Sequence, residues 1–397
     1  MKITAIETVL VDAFRANFLF VRVTGEDGLV GVGEGTVEHR EPTVACAIDE
    51  LARTLIGQDA FRIEQMAELA SRDSYWRTGV VLRSALAAVE VALFDLKAKA
   101  LGVSVADLLG GRQRERIRAY ANGWFVGAST PDEFAAKAQA AVALGFQGLK
   151  WDPFGKSWLD LDGAARRRAI ETVEAVRGAV GPDVELMIEG HGRFSVPTAL
   201  AIARDLAPFR PYWFEEPIPP ESIDALVDLR RASPIPIATG ERYYEPARFA
   251  ELIHRHAADY LQPDVCHVGG LAAAKLIAGM AHLQWLPLAP HNPMGPIGNA
   301  ATLQLAAATP NVSWLETMMT DVPWRAELVR ETAILEDGMM HIPSGPGLGI
   351  ELDWEACQRF TPKVYELRHY RGTLTQIRPA EAKPFFTIIR DGHQHVP

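Results

Sequence analysis

Polar side chains recur along the middle of this chain at intervals of roughly 25 residues, each at the end of a short apolar run. That interval is about the length of one strand, one helix and two loops, and a helix-like stretch follows all but the last. Successive strands joined in this way are parallel, so we expect the polar groups at one end of a (β/α) barrel, where active sites are built. The recurring residues are Glu189, Glu215, Glu241, Asp264, His291 and Glu316, with Lys150 further upstream.

Length and composition limit the class of protein. The 397 residues suit a barrel of about 250 residues with an appended domain. A hydrophobic content of 48% with 23% charged residues is ordinary for a globular protein. A net charge of −10 disfavours nucleic acid or an anionic membrane, because both attract clustered Lys and Arg. We therefore expect a small-molecule partner, with no nucleic acid and no membrane.

The cysteines and the N-terminus bear on the cell compartment. Cys46, Cys266 and Cys357 lie far apart and lack the paired spacing of zinc or redox sites. The first residues alternate like a strand and show no signal-peptide pattern. No apolar run approaches the roughly 18 residues of a membrane span. These features predict a cytoplasmic protein.

The hydrophobic pattern divides the chain into three parts. Residues 1–115 combine strand-like runs with helical repeats, which predicts an α+β capping domain. Residues 116–325 alternate strands and helices, as in a parallel barrel whose strands are covered on both faces, and no Gly-rich phosphate loop favours an open sheet. Residues 326–397 break this rhythm and are expected to pack back on the cap. The predicted fold is a modified TIM barrel of the (β/α)7β type with an N-terminal α+β cap.

Three glutamates end consecutive predicted strands: Glu189, Glu215 and Glu241. A single acid at a strand end would more often pair with Lys or Arg. Three carboxylates at one barrel mouth repel one another unless a cation lies among them. Mg²⁺ suits such a set, because it is a hard cation that binds a few carboxylates and leaves positions for water or substrate.

Asp264 and His291 end the next two strands and should be neighbours. A carboxylate bonded to one imidazole nitrogen sets the tautomer and raises the basicity of the other, so the pair predicts a general base. The alternative is a structural histidine held by a strand-end aspartate. His191 lies two residues beyond Glu189 and is a candidate acid. Lys150 is a candidate electrostatic stabiliser, or else a simple ion-pair partner.

This set suits removal of a proton from a carbon next to a carboxylate. The second negative charge that develops on that carboxylate is stabilised by a divalent ion and a lysine. One histidine takes the proton, and a second can protonate a departing hydroxyl. The residues by themselves therefore predict carboxylate-stabilised elimination.

Several segments resemble the mandelate racemase branch of the enolase superfamily, over most of the chain. They are, in order, ALFDLKAKALGVSVADLLGG, WFEEP, TGERY, LQPDVCHVGG, LAPHNPMGPIG and SWLE. The resemblance implies a barrel enzyme of the lyase class. It implies metal ligation by Glu189, Glu215 and Glu241, a base dyad of His291 with Asp264, and stabilisation of the substrate carboxylate by Glu316.

Within that branch, YANGW, LKWDPFG and IEGHGRF are most similar to acid-sugar dehydratases that act on gluconate or arabinonate. By that analogy, His191 expels the 3-hydroxyl of an aldonate such as gluconate, galactonate or arabinonate to give a 2-keto-3-deoxy acid. Loops near residues 14–19 and 36–42 would cap the pocket. Relatives imply a homo-oligomer between dimer and octamer. The candidate substrate-binding residues are Asn122, Asp152 and Arg193.

Two departures from the family pattern bear on the reaction. Glu189 stands where many relatives have Asp and is one methylene longer. The second strand has Lys150 and Asp152 instead of Lys-x-Lys, which argues against racemisation by two bases and makes Asp152 a candidate ligand of a sugar hydroxyl. An epimerase, racemase or cycloisomerase of an acid sugar is the alternative, with Asp152 or Lys150 as the opposite base. A third hypothesis is a non-catalytic metal-binding barrel that retains sugar acids.

Overall fold

A three-stranded antiparallel sheet covered by helices begins the chain in this computed structural model, which describes residues 1–365 and 378–395. The strands pair in chain order and are β1 (Ile3–Asp12), β2 (Asn17–Gly25) and β3 (Val30–Glu34). The helices are α1 (Glu41–Leu55), α2 (Ile63–Arg72), α3 (Val80–Leu101) and α4 (Val105–Leu108). Helix α3 lies so close to β3 that a Cβ at Gly33 would be 1.9 Å from the Ala88 carbonyl oxygen, so glycine is required there.

Parallel strands then form a barrel. They are β4 (Arg116–Asn122), β5 (Gly148–Trp151), β6 (Glu185–Glu189), β7 (Trp213–Glu215), β8 (Ile237–Thr239), β9 (Tyr260–Leu261) and β10 (Leu315–Met318). Strands β4 to β9 pair in chain order, and β10 pairs with β4. Leu288 forms parallel bridges with Leu261 and Val312, so the segment around it takes the place of the seventh strand. The predicted barrel with an N-terminal α+β cap is confirmed.

Helices connect the strands on the outside of the barrel. They are α5 (Pro131–Ala143), α6 (Gly163–Val180), α7 (Val196–Leu206), α8 (Ile223–Ala232), α9 (Pro246–His254), α10 (Leu271–His282) and α11 (Pro296–Ala308), with a short 3-10 helix at Ala207–Phe209. Helix α5 begins with a capping box, in which the Thr130 side chain accepts from the Glu133 N–H and the Glu133 side chain accepts from the Thr130 N–H. Of the helices in the described residues, none has the length and apolar character needed to cross a membrane.

The C-terminal segment contacts both the barrel and the cap. Its elements are a 3-10 helix (Pro323–Glu327), β11 (Ala333–Glu336), β12 (Met339–His341), α12 (Trp354–Arg359), β13 (Phe386–Arg390) and β14 (His393–His395). Strand β12 pairs antiparallel with the start of β4. On the cap side, Gly347 shares backbone hydrogen bonds with Val103 and Val105, and the Asp12 N–H donates to the Phe360 carbonyl. The domain boundaries at residues 115 and 325 stay predictions.

Two buried carboxylates of the cap bind helix N-termini of the barrel. Glu34 accepts the N–H groups of Gly295 and Gly298 at the start of α11, both at 2.7 Å. Glu90 in α3 accepts the first two N–H groups of α10, both at 2.8 Å. Helix N-termini carry unpaired N–H groups and partial positive charge, which favour carboxylates. Because α10 and α11 begin beyond the carboxyl ends of strands, these bonds hold the cap over that end.

Large side chains fill the barrel below the polar residues. Tyr120, Met187, Trp213 and Trp314 are fully buried in one cluster with two alanines. Each of these four residues lies two positions before a residue predicted for the site. Alternate residues of a strand share a face, so the two side chains of each pair point into the barrel. The rings of Tyr120 and Trp213 meet edge to face with centroids 5.7 Å apart. We call this cluster the aromatic floor, and the site lies directly above it.

Candidate active site

The three predicted metal ligands meet at the carboxyl ends of β6, β7 and β8. Glu189 and Glu215 end neighbouring strands in register, and Glu241 follows β8 by two residues. One carboxylate oxygen from each lies within 4.8 Å of the others. Burial, together with the charges of Glu215 and Glu241, raises the pKa of Glu189 well above its ordinary value. The arrangement therefore crowds negative charge that a cation would stabilise.

The donor set fits a divalent cation. Glu189 Oε2 is buried and has no hydrogen-bond partner among the described residues, which leaves a lone pair for a ligand. Carboxylate oxygens are the ligands that hard divalent ions prefer. The opposite oxygen, Oε1, accepts the His191 N–H at 2.6 Å and so holds the carboxylate in place. Acidic groups arranged for divalent-metal binding are thus present.

Lys150 places a positive charge beside these carboxylates. Its Nζ lies 2.7 Å from Glu215 Oε1, 2.9 Å from Glu316 Oε1 and 3.7 Å from Glu189 Oε2. Burial by itself would lower the pKa of Lys150, but Glu215 and Glu316 outweigh burial and raise it well above its ordinary value. Lys150 is therefore a permanent positive charge at the site.

Glu316 is held from several sides. Asn122 Nδ2 donates to Oε1 at 2.7 Å, and the Asn292 N–H donates to Oε2 at 2.9 Å. Burial would raise the pKa of Glu316, but Lys150 and His291 lower it below its ordinary value. Asn122 is thus engaged with a neighbouring side chain, and its predicted contact with substrate stays a prediction.

His291 and Asp264 lie together as the sequence predicts. His291 Nδ1 is 2.7 Å from Asp264 Oδ2, and its Nε2 lies 3.5 Å from Glu241 Oε2. Burial would lower the pKa of His291, but Glu241 and Asp264 raise it to about 10. Since the aspartate engages Nδ1, the nitrogen that faces the glutamates is the one able to exchange a proton.

His191 forms a second pair of histidine and carboxylate. It lies in the turn after β6 with φ at 48°, and its Nδ1 is 2.6 Å from Asp152 Oδ2. The Arg193 guanidinium also binds Asp152 Oδ2. Burial would raise the pKa of Asp152, but Arg193 and His191 lower it below its ordinary value. The substrate contacts predicted for Asp152 and Arg193 stay predictions.

Both imidazoles lie near the same carboxylate. Burial would raise the pKa of Glu241, but the charges of His291, Lys150 and His191 outweigh burial and lower it. The His191 and His291 side chains are 22% and 15% exposed, so both are partly open to the pocket. Two proton carriers beside one set of acidic ligands suit acid–base chemistry on a metal-bound acid.

Loops of the cap reach the same mouth of the barrel. Arg15 and Glu38, from the two loops predicted to cap the pocket, form an ion pair. Arg15 Nη2 also lies 3.5 Å from the carbonyl oxygen of Pro293, two residues beyond His291. The loops and the segment that carries the base are therefore in contact.

The structure brings together all the residues predicted for the site, and it adds others that the sequence analysis missed. Trp213 Nε1 donates to Glu215 Oε2 at 2.9 Å, which connects the aromatic floor to a predicted metal ligand. Gln262 is 1% exposed, and neither amide atom has a partner among the described residues. The sequence feature that could have identified Gln262 is its position two residues before Asp264, because alternate residues of an extended segment share a face.

His267 is a further residue that the sequence analysis missed. Its Nε2 lies 3.5 Å from Asp264 Oδ2, and its Nδ1 lies 3.0 Å from Ser84 Oγ on α3. Only the segment LQPDVCHVGG drew attention to His267, and nothing in the sequence pointed to Ser84. The base dyad is thereby connected to a helix of the cap.

Known proteins resemble this chain over both the cap and the barrel. A family described as mandelate racemase/muconate lactonizing enzyme, N-terminal domain, matches residues 3–110, and one described as enolase C-terminal domain-like matches residues 133–356. A D-gluconate dehydratase of Thermoproteus tenax is 35% identical over 351 residues, which cover 88% of this chain and 71% of the relative. A D-galactonate dehydratase of Ralstonia nicotianae is 36% identical over 359 residues, covering 89% and 92%.

A solved structure shows the same likeness in three dimensions. The mandelate racemase/muconate lactonizing enzyme from a Sulfitobacter species superposes with a TM-score of 0.87 at 30% identity, over 91% of this chain and 96% of its own. The resemblance predicted from sequence is confirmed, and so is the prediction of a hydro-lyase, since the named relatives are dehydratases. The chain belongs to the mandelate racemase/muconate lactonizing enzyme family of the enolase superfamily.

Proposed function

We propose that this protein is a Mg²⁺-dependent dehydratase that converts an aldonate such as gluconate, galactonate or arabinonate into a 2-keto-3-deoxy acid. The observation that carries the proposal is the placement of two histidine–carboxylate pairs beside one set of three glutamates. Relatives named D-gluconate and D-galactonate dehydratase support dehydration of a sugar acid in general. A cytoplasmic location and a homo-oligomer stay predictions.

The acidic residues would bind Mg²⁺ and so hold the substrate carboxylate. Glu189, Glu215 and Glu241 are its proposed ligands. When bound, the ion supplies positive charge where the substrate carboxylate gains negative charge during proton removal. Lys150 contributes a second positive charge from β5, the strand next to that of Glu189, and Glu316 keeps that lysine in place at 2.9 Å.

The two histidines would divide the proton transfers. His291 Nε2 takes the proton from C2, because Asp264 engages its Nδ1. His191 Nε2 gives a proton to the 3-hydroxyl, because Asp152 engages its Nδ1. The electrons of the C2–H bond first pass to the carboxylate as an enolate, and they then form the C2–C3 double bond as the C3–O bond breaks and water leaves. The resulting enol takes a proton at C3, loses the proton of its 2-hydroxyl and becomes the 2-keto-3-deoxy acid.

An epimerase or racemase of an acid sugar is the alternative, and one observation favours it. His191, paired with a carboxylate whose pKa is lowered, is a second group able to exchange a proton at C2. Epimerisation keeps the 3-hydroxyl and incorporates solvent deuterium at C2, whereas dehydration consumes that hydroxyl. Product analysis in D₂O therefore separates the two reactions.

The test is a screen of aldonic and aldaric acids with the purified protein and Mg²⁺, reading 2-keto acid as its semicarbazone. We expect product from one acid or a few stereochemically related acids. The product should be lost in His291→Asn and on chelation, and retained in His282→Asn, an exposed histidine at the end of α10. A protein that binds Mg²⁺ yet forms no keto acid across the library contradicts the proposal.

A further inference from the structure

The carboxylate of Asp152 has little capacity left for a substrate. Its Oδ1 accepts the Phe154 N–H at 2.8 Å, and its Oδ2 binds both His191 Nδ1 and the Arg193 guanidinium. The side chain is 1% exposed. A carboxylate that is engaged on both oxygens and shielded from solvent suits the orientation of a neighbour better than the binding of a sugar hydroxyl.

Arg193 holds this carboxylate independently of any substrate. The arginine is fully buried, and its Nη1 and Nε donate to the carbonyl oxygens of Gly155 and Gly190 at 2.6 and 3.1 Å. These bonds connect the loop after β5 to the turn after β6. The position of Asp152 is therefore set by the protein itself.

The backbone of His191 is also held in place. Its N–H donates to Glu189 Oε1 at 2.6 Å, in a turn where a positive φ leaves the main chain few alternatives. With the backbone held, the side chain can still move by rotation of the imidazole ring. The hydrogen bond from Nδ1 to Asp152 restricts that rotation.

We propose that Asp152, held by Arg193, is the positioning residue of His191: it keeps a proton on Nδ1 and turns Nε2 toward the three glutamates. This inference rests on the proposed function and deepens it, because it assigns Asp152 to the hydroxyl-expelling half of the reaction. Asp152 acts through His191 and touches no substrate.

Asp152→Asn tests this arrangement at constant size. All three groups around the carboxylate are donors: the Phe154 N–H, the His191 ring and the Arg193 guanidinium. An asparagine amide must turn its NH₂ toward at least one of these donors, so at least one of the three hydrogen bonds is lost and the hold on the ring is weakened. Asp259→Asn is the matched control, because Asp259 also binds an arginine and a backbone N–H but lies before β9, at the other end of the barrel.

The kinetic experiment separates the two proton transfers in D₂O. We expect Asp152→Asn to lower keto-acid formation by about 10²–10⁴-fold, the usual contribution of a general acid. KM should stay within a few-fold, and His291 should still exchange deuterium into C2 of unreacted substrate. Asp259→Asn should keep both rates. A raised KM with unchanged kcat, or an equal loss of elimination and exchange, overturns the proposal.

A spectroscopic experiment decides the question without any substrate. In protein labelled with ¹⁵N in its histidine rings, His191 should show a low-field Nδ1–H resonance, assigned by its absence in His191→Asn. The resonance should vanish in Asp152→Asn and persist in Asp259→Asn. If the resonance persists in Asp152→Asn, the inference fails even when the screen has found a substrate. If the screen finds no substrate, loss of the resonance in Asp152→Asn still supports the inference.

Discussion

At the scale of single residues, the site is decided by which atoms are already engaged. Each histidine binds an aspartate through Nδ1, and Nε2 is the atom that we propose for the proton transfers. Glu189 is fixed on one oxygen by the His191 N–H, and Glu215 is fixed on both, by the Trp213 indole and Lys150. Glu241 is bound less tightly and lies nearest to His291 among the three glutamates. It is therefore the ligand whose removal most directly tests metal binding.

Glu241→Gln should weaken the binding of divalent cations. The substitution removes one of three negative charges while the other two ligands keep their positions, so we expect affinity for Mn²⁺ to fall by about tenfold or more. Titration followed by electron paramagnetic resonance measures this without substrate. Glu245→Gln, four residues along the chain, should bind Mn²⁺ like the parent protein. Equal affinity in Glu241→Gln would remove this residue from the ligand set.

At the scale of elements, strand ends were predictable and strand lengths were not. Carboxyl ends of parallel strands meet at one rim, so the spacing of Glu189, Glu215 and Glu241 predicted a common site. The segment PLAPH, residues 287–291, takes the place of the seventh strand but forms only the bridges of Leu288. Pro287 and Pro290 lack N–H groups, so the segment cannot form a longer ladder.

Contacts between distant elements were beyond the sequence. The bond from Asp152 to His191 joins residues 39 positions apart, and it depends on how two neighbouring loops fold back on Arg193. Ser84 reaches His267 from another domain, 183 positions away. Periodicity and spacing report which face a residue occupies, but they carry no information on which of several neighbouring polar groups it will bind.

Glu90 on α3, which binds the N-terminus of α10, gives a prediction at the same scale. Burial raises the pKa of Glu90 from 4.5 to about 8, although two backbone N–H groups and Arg83 oppose the rise. Between these pH values the folded protein binds more protons at this site than the unfolded chain does. The contribution of Glu90 to stability therefore falls as pH rises through that window.

Glu90→Gln should remove this pH dependence. Relative to the parent, its free energy of unfolding should improve with rising pH by up to about 1.4 kcal/mol per unit within the window. Urea unfolding at several pH values between 4.5 and 8 measures the difference. The exposed Glu68→Gln on α2 should track the parent throughout. Parallel stability curves for Glu90→Gln and the parent would show that Glu90 titrates normally.

At the scale of the whole molecule, the site is assembled from both domains. Cap residues reach the barrel at three kinds of place: helix N-termini, the histidine next to the base dyad, and the loop beyond His291. Anything that binds the folded site alone should stabilise the entire chain, because these contacts couple the domains.

Removal of divalent metal should therefore lower the melting temperature. Without a cation, Glu189 and Glu215 both lie beside the single charge of Lys150, at 3.7 and 2.7 Å. At a hundredfold excess over Kd, a ligand that binds only the folded state contributes about 2.7 kcal/mol, which corresponds to a rise in Tm of roughly 3 °C for a chain of this length. Scanning fluorimetry in EDTA and in excess Mg²⁺ measures the shift. The shift should shrink in Glu241→Gln, and an identical Tm in both buffers contradicts the metal site.

Arg15→Ala should affect substrate capture more than chemistry. The arginine joins the two cap loops and contacts the segment beyond the base, so its loss should loosen the cover of the pocket. We expect KM to rise several-fold with kcat reduced less, as when uniform binding is lost. Arg22→Ala, which removes the ion pair with Glu7 on the cap sheet, is the control. A lower kcat at unchanged KM would instead place Arg15 in the chemical step.

The aromatic floor limits the directions from which small molecules can reach the site. Because Tyr120, Trp213 and Trp314 are fully buried across the interior, these side chains fill the barrel below the site, and the cap stands over its other end. In the proposed reaction, substrate entry and the release of water and keto acid would all occur at the end that the cap covers. A keto acid still bound there would block the next substrate.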